Sequence, residues 1–272
     1  MNLRELLEAV AKGTISPNQA LQHIQIKSMQ ILEGEVNFDL NREIRTGGRP
    51  EIVYAEYKDP QTCVTIANEV LSRKPFLIFS RTQPEHHLVL EENFSNKEQF
   101  TISSYRNSRL VVLKQKNYEP PAKNAKIGIL TAGTSDIPIA KEAEIVLTAM
   151  GFQTLTFYDR GVAGLHRLFQ PLAKITEEKA CCLIVVAGME GALPGVVAGL
   201  VDIPVIGVPT SLGYGLGKEG MGALTTMLQS CSPGLVAVNI DAGISAGLFA
   251  ALIGEQVIRE RKQHKNASEE KI

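Results

Sequence analysis

The sequence has no tryptophan, and only four of its 272 residues are cysteine. Cys63, Cys181, Cys182 and Cys231 contain no CxxC pair, which excludes zinc-ribbon and thioredoxin spacings. Such sparse cysteine use suits a reducing cytoplasm better than a disulfide scaffold. An excess of charge is also missing. With 28 Lys+Arg against 29 Asp+Glu the formal net charge is −1, so bulk electrostatics would not hold a nucleic acid or an anionic membrane. Long hydrophobic runs are absent too. The apolar stretches near 182–187 and 246–253 fall short of the roughly 20 residues that cross a bilayer. The first residues, MNLRELLEAVAKG, carry charges every few positions and do not read as a secretion signal. The expectation is a soluble cytoplasmic protein with no membrane or nucleic-acid partner, long enough for one large domain or two ordinary ones.

What is present is unevenly spread. From 180 to 254 only Glu190, Asp202, Lys218, Glu219 and Asp241 are charged, yet 14 of the 23 glycines fall there. Short apolar runs broken by turn residues suit strands buried on both faces of a parallel sheet. A Pro-containing polar linker at 118–124 suggests domains at 1–120 and 121–260, followed by a charged, frayed tail at 261–272. In the second half, strand patterns at 126–131, 153–157, 182–187, 204–207 and 235–238 alternate with helical patterns at 137–150, 164–173, 196–201, 221–230 and 245–258. That alternation predicts an α/β fold, a parallel sheet sandwiched by helices. The first half is less regular. Helical patterns at 2–11, 17–27 and 60–73, with apolar runs near 76–79, 101–103 and 110–113, suit a smaller α+β domain.

Ligands of open α/β sheets collect beyond the carboxyl ends of the strands, which singles out several loops. In Ala132-Gly133-Thr134-Ser135-Asp136 the glycine permits close backbone approach, and the hydroxyls can hold a phosphate or cap the following helix. In Ala187-Gly188-Met189-Glu190-Gly191-Ala192-Leu193-Pro194-Gly195, an isolated carboxylate amid apolar residues either serves as a general base of raised pKa or pairs with a loop amide. Cys231, flanked by Ser and Pro-Gly in a turn, is the cysteine best placed to be an exposed nucleophile. The other three read as small buried hydrophobes. In Asn239-Ile-Asp241, the aspartate either caps the last helix or holds a ribose or water. Arg42, Arg45 and Arg49 form an anion clamp or a solvated surface. His86-His87 reads as a surface pair, since no third ligand keeps metal spacing. By themselves these residues point to an α/β enzyme for a phosphorylated small molecule or nucleotide, without fixing the reaction.

Residues 125–258 resemble the phosphoribosylaminoimidazole carboxylase (PurE) superfamily. The Ala132–Asp136 loop stands where that family has Gly-Ser-x-Ser-Asp. The Ala187–Gly195 loop matches its Ala-Gly-rich loop ending in Leu-Pro-Gly, and Pro204-Val-Ile-Gly-Val-Pro209 matches its next strand. The sequence departs where the purine enzymes carry a catalytic Ser-Ala-His-Arg loop, reading Asp159-Arg-Gly-Val-Ala-Gly164 instead. Glu190 and Cys231 have no counterpart in them. These features, together with Asp39-Leu-Asn-Arg42, Arg45, Gly47, Pro50-Glu-Ile-Val-Tyr54, the Ser-Cys-x-Pro-Gly element and Asn-Ile-Asp, resemble the LarB family. Members of that family are pyridinium-3,5-biscarboxylic acid mononucleotide synthases of nickel pincer cofactor assembly.

The resemblance implies carboxylation of nicotinic acid adenine dinucleotide by carbon dioxide, then hydrolysis of its phosphoanhydride to the biscarboxylated mononucleotide and AMP. It implies Cys231 and Glu190 as catalytic groups. Arg42, Arg45, Gly133, Thr134, Ser135, Asp136, Gly188, Gly191, Asn239 and Asp241 would bind substrate. It further implies no tightly bound cofactor, with magnesium left open for the hydrolysis, and a homo-octamer with active sites at subunit interfaces. The alternatives are a phosphoribosylaminoimidazole carboxylase of purine synthesis, or a non-catalytic nucleotide-binding protein.

Overall fold

A computed structural model describes residues 3–20, 29–32, 36–39, 52–213 and 215–269. It divides into two units, Met1–Tyr118 and Glu119–Ile272.

In the first unit, helix α1 (Leu3–Ala11) is followed by an antiparallel pair, β1 (Met29–Leu32) and β2 (Val36–Asp39). A four-stranded mixed sheet comes next. It contains β3 (Ile52–Tyr54), β4 (Phe76–Ser80), β5 (Phe100–Tyr105) and β6 (Leu110–Gln115) in the order β3-β4-β6-β5, and only β3 and β4 run parallel. Helices α2 (Pro60–Leu71), through Ile66 and Val70, and α3 (Pro84–Phe94), through Leu90 and Phe94, form its core with Phe79 and Leu113 of the sheet. Asp59 starts α2 by accepting the N–H groups of Gln61 and Thr62.

Helix α3 overturns the surface reading of His86-His87, for both residues are buried. The Thr82 hydroxyl lies 2.8 Å from His87 Nε2, the His86 Nδ1 accepts from Gln83 N, and His86 Nε2 donates to Lys58 O. Adjacent residues on a helix point about 100° apart, so one face of α3 does not dictate both environments. Both His86 nitrogens have partners, whereas His87 is held through Nε2 alone and its buried Nδ1 has no partner among the described residues.

The second unit is a five-stranded, fully parallel sheet of β7 (Lys126–Thr131), β8 (Gln153–Phe157), β9 (Cys182–Ala187), β10 (Val205–Pro209) and β11 (Leu235–Ala237). Its order is β11-β10-β9-β7-β8. Every residue of β9 is buried, as an unbroken apolar run in the middle of a parallel sheet requires. Helices α4 (Ile137–Ala149), α5 (His166–Glu177), α6 (Ala192–Ala198), α7 (Met221–Leu228) and α8 (Gly243–Glu269) connect and cover it. Leu168, Leu172 and Ile175 of α5, Leu193 and Val197 of α6, and Ala223 and Met227 of α7 form one core with the sheet.

The boundaries of α6 and α8 differ from expectation. Helix α6 begins before Pro194 rather than after it, because the first-turn N–H groups have no intrahelical acceptor and proline loses nothing there. Helix α8 continues to Glu269, so the tail is not frayed from 261. It contains no proline after Gly243, and Arg261 Nη1 donates to Asn124 O.

Helices α4 and α8 pack with almost no gap. A Cβ on Gly243 would lie 2.2 Å from Ile139 O and 2.9 Å from Glu142 Cβ. Glu142 is itself buried, and its Oε2 accepts the Ile244 N–H at 3.4 Å, closing the amino end of α8. Gly243→Ala therefore forces the two helices apart. It should cost about 2 kcal/mol or more in urea unfolding, against under about 0.5 kcal/mol for exposed Ser245→Ala in the same turn. Equal midpoints for the two variants would contradict the close packing.

Candidate functional site

The strand order reverses between β7 and β9, since the chain leaves β7 for β8 on one side and returns to β9 on the other. Such a switch point opens a crevice beyond the carboxyl ends of the two strands. The loops that bound it are 132–136 after β7 and 188–191 after β9, with 210–220 after β10 and 238–242 after β11 alongside.

Asp136 ties these loops together. It is 3% exposed; its Oδ2 accepts Gly133 N at 2.9 Å and its Oδ1 accepts the Thr210 hydroxyl at 2.8 Å. The Gly188 N–H also donates to it. One carboxylate thus links the β7 loop to the β9 and β10 loops across the switch point. Burial raises its pKa above the usual aspartate value. The hydrogen bonds from Gly133, Thr210 and Gly188 oppose that rise, and the Asp241 charge adds to it. The sequence marked Asp136 as a cap or ligand contact and did not anticipate a buried acid. Its partner Thr210, wholly buried, was not singled out at all. The signal was a hydroxyl directly after the buried strand end Val208-Pro209, where a polar side chain needs a partner.

Thr134 and Ser135 are exposed on the outside of the same loop, and Gly133 is partly buried. Gly188 admits no side chain, since a Cβ would meet Thr210 Oγ1 at 2.6 Å and Leu212 O at 2.7 Å. Gly191, at φ +64°, lies against Ala223 with no room for a side chain. Met189 also has positive φ, so the turn carrying Glu190 is held in an uncommon conformation. Glu190 itself is exposed rather than enclosed by apolar surroundings, which corrects the burial expected for it.

Asp241, expected as a cap for α8, instead accepts Ser211 N at 2.9 Å, while its own N–H donates to Pro209 O. It fastens the β10 loop from a backbone with φ of 54°, and the cap comes from Glu142. Asn239 is exposed, and its Oδ1 accepts Ile240 N.

Cys231 is the exposed one of the four cysteines; Cys63 and Cys182 are buried and Cys181 partly so. It precedes β11. Val205 pairs with both Leu183 and Leu235, so those two residues are level in the sheet. Cys231 lies four residues before Leu235, whereas Glu190 follows Ala187, which is roughly 13 Å further along β9 at about 3.3 Å per residue. Within one chain the two therefore sit toward opposite ends of the strands. Ser230 and Ser232 pack the Cys231 turn against α6, at Gly195 and Gly199. Arg42 and Arg45 lie outside the described residues.

Among the described residues no three His, Cys, Asp or Glu side chains come together to hold a metal ion, and no helix is long and apolar enough to cross a membrane. The first unit has an open cleft of about 700 Å³ lined by Asn68, Lys97, Phe100, Gln115 and Tyr118, among others. None of the candidate residues lines it.

Comparison with known proteins agrees with this layout. The AIR carboxylase family matches residues 126–271, and the LarB/PurE-like N-terminal domain matches residues 31–115. The chain belongs to the LarB family. The uncharacterized protein MJ0165 of Methanocaldococcus jannaschii is 44% identical over 93% of this chain and 97% of its own. The N5-carboxyaminoimidazole ribonucleotide mutase of Thermotoga maritima is 28% identical over 155 residues, covering 54% of this chain and 87% of its own. A solved structure of Treponema denticola PurE aligns at 18% identity and a TM-score of 0.35, covering 55% of this chain and 99% of its own.

The raised pKa of Asp136 gives a testable pH dependence. The folded protein binds this proton more tightly than the unfolded chain does. Its stabilisation is therefore full below the ordinary aspartate value of 3.8 and is lost as pH rises through the higher folded value. Asp136→Asn does not titrate. Urea unfolding at a series of pH values should show wild-type stability, relative to the variant, falling as pH rises through that window. A difference independent of pH would contradict the assignment.

Proposed function

We propose that this LarB-family protein carboxylates the pyridinium ring of nicotinic acid adenine dinucleotide and then hydrolyses the phosphoanhydride to give the biscarboxylated mononucleotide and AMP. A carboxylase-related activity follows from the family. The finer reading is carried by one observation. Cys231 is exposed in a Ser-Cys-Ser-Pro-Gly turn while the other cysteines are withdrawn, on a scaffold that also presents Glu190 beyond β9.

The chemistry needs both groups. A pyridinium ring is electron-poor and does not attack carbon dioxide. Addition of the Cys231 thiolate at ring carbon four converts it to a neutral, enamine-like dihydropyridine that is nucleophilic at carbon five. Carbon five bonds to carbon dioxide, leaving an iminium ring with a new carboxylate. Glu190 then removes the carbon-five proton, and the electron pair re-forms the enamine and expels the thiolate, restoring the aromatic ring. The net change replaces one ring hydrogen by a carboxylate and releases one proton. Water next cleaves the phosphoanhydride. Glu190 meets solvent, as a base that must pass its proton on requires. Thr134 and Ser135 offer hydroxyl donors to the anionic substrate, and the turn from Gly188 to Gly191 is assigned to its edge; Arg42 and Arg45 are assigned to anion binding, with Asn239 and Asp241 at the rim. The reading uses no resident cofactor.

The opposed placement of Cys231 and Glu190 leads to a second element of the proposal. The thiolate of one subunit works with the carboxylate of another in a cytoplasmic homo-oligomer, an octamer by analogy with PurE relatives. The exposed apolar side chains Leu200, Met221, Leu228, Val236 and Phe249 are available for such contacts.

Cys231→Ser and Glu190→Gln should each lower carboxylation by at least about a hundredfold, since a hydroxyl is a far poorer nucleophile than a thiol at neutral pH and an amide accepts no proton. Co-expressing the two variants in one oligomer should restore activity at about a quarter of the sites, those that combine the intact thiol of one chain with the intact carboxylate of another. Normal turnover by either single variant contradicts its catalytic role. Inactive single variants that fail to complement contradict the shared site.

A further inference from the structure

The loops beyond the carboxyl ends of β7, β9, β10 and β11 are poor in positive charge. Residues 132–136, 188–191, 210–220 and 238–242 contain the acids Asp136, Glu190, Glu219 and Asp241, and Lys218 is their one basic residue. Asp136 and Asp241 are engaged within the chain, through Gly133, Thr210 and Ser211. Glu190, Lys218 and Glu219 are exposed. A ligand that brings a carboxylate to these loops meets net negative charge, and Lys218 is the group they supply to offset it.

The Lys218 side chain is exposed, yet its backbone is fixed on both sides. A Cβ on Gly217 would lie 3.2 Å from Met189 O, and one on Gly220 would lie 2.7 Å from Ile240 Cγ2 and 3.0 Å from Thr210 O. Between those two contacts Lys218 is extended and Glu219 is left-handed, with φ of 59°. Lys218 and Glu190 each stand one residue beyond the same backbone contact, that of Gly217 with Met189. No hydrogen bond or ion pair ties the Lys218 ammonium to a described residue. Met189 and Leu212 are large apolar side chains exposed on the same two loops. Apolar surface with one convergent charge suits a flat ring bearing an anion better than a bare phosphate.

We propose that Lys218 is a specificity-determining residue, holding the carboxylate on the pyridine ring of the substrate and so favouring the acid dinucleotide over its amide counterpart. The placement of Lys218 comes from the loop contacts. The ligand rests on the reaction proposed above, in which Glu190 works at the ring. A lysine leaving the same contact as Glu190 carries its three donors on a flexible four-carbon stem. A neutral carboxamide offers that ammonium an acceptor without the charge, so the pairing separates acid from amide.

The test is calorimetric titration and labelled carbon dioxide turnover of wild type, Lys218→Gln, Lys218→Arg and Lys179→Gln. Each is supplied with nicotinic acid adenine dinucleotide and with the corresponding dinucleotide carrying an amide. Lys179 is exposed and lies just before β9, at the opposite end of that strand, so its variant removes the same charge from elsewhere. Wild type should prefer the acid. Lys218→Gln should weaken acid binding by about tenfold and leave amide binding unchanged, Lys218→Arg should keep most of the preference, and Lys179→Gln should alter neither affinity. Raising the salt concentration should narrow the preference of wild type and not that of Lys218→Gln. Equal losses for both dinucleotides, an unchanged preference, or the same effect from Lys179→Gln overturns the specificity role. If wild type still carboxylates the acid dinucleotide in that case, the proposed reaction stands. Binding of the acid without turnover by wild type contradicts the reaction instead, and the binding preference then decides the role of Lys218 alone. Wild type that binds neither dinucleotide overturns both.

Discussion

The second unit is organised around one buried carboxylate at the place where its sheet changes direction. Asp136 accepts hydrogen bonds from its own loop, from the backbone beyond β9 and from the Thr210 hydroxyl beyond β10. Without it, three loops leaving three strands would have no common partner. The cost of burying the charge is met by those donors, and the residual penalty shows as a raised pKa. The neighbouring glycines follow from the same constraint. Gly188 is small because Thr210 and Leu212 occupy the space a side chain would fill.

That constraint explains why the chemistry-bearing residues are rim residues. Thr134, Ser135, Glu190 and Asn239 are exposed around the rigid centre, whereas Asp136, Thr210 and Gly191 are inside it. A loop fixed from within can present side chains outward with little freedom, and electrostatic and positioning catalysis depend on that preorganisation. The candidate nucleophile lies outside that constraint. Cys231 is placed by the turn entering β11, and Ser230 and Ser232 hold that turn along α6 rather than at the switch point. Under the proposed chemistry, the thiolate and the carboxylate would come from two copies of the chain.

The sheet was legible in the sequence because central strands such as β9 are apolar on both faces, the edge strand β8 alternates polar residues with Leu155 and Phe157, and turns punctuate them. The expected spans 126–131, 153–157 and 182–187 coincide with β7, β8 and β9. Helix ends were harder to read. Proline in the first turn of α6 and the charged continuation of α8 both look like breaks, yet neither conflicts with helical hydrogen bonding. Strand β3 and helix α3 in the first unit were missed. Three residues are too few to show a period, and His86-His87 disguised a buried helix face as a polar one. Glycine-rich loops and isolated polar residues marked the carboxyl end of the sheet for most candidates, while Cys231 lies toward the other end. The sequence could not show which polar groups satisfy one another. Thr210 therefore emerged only from the structure, through its buried partner Asp136.

The central claim concerns the reaction, and the most direct measurement is turnover with isotopically labelled carbon dioxide. The protein is supplied with nicotinic acid adenine dinucleotide and, separately, with aminoimidazole ribonucleotide, and the products are identified by mass. The account predicts AMP together with a pyridinium mononucleotide that carries one labelled carboxylate, and no change in the purine precursor. Labelled carboxyaminoimidazole ribonucleotide beside an untouched dinucleotide, or binding of the dinucleotide without turnover, would contradict it.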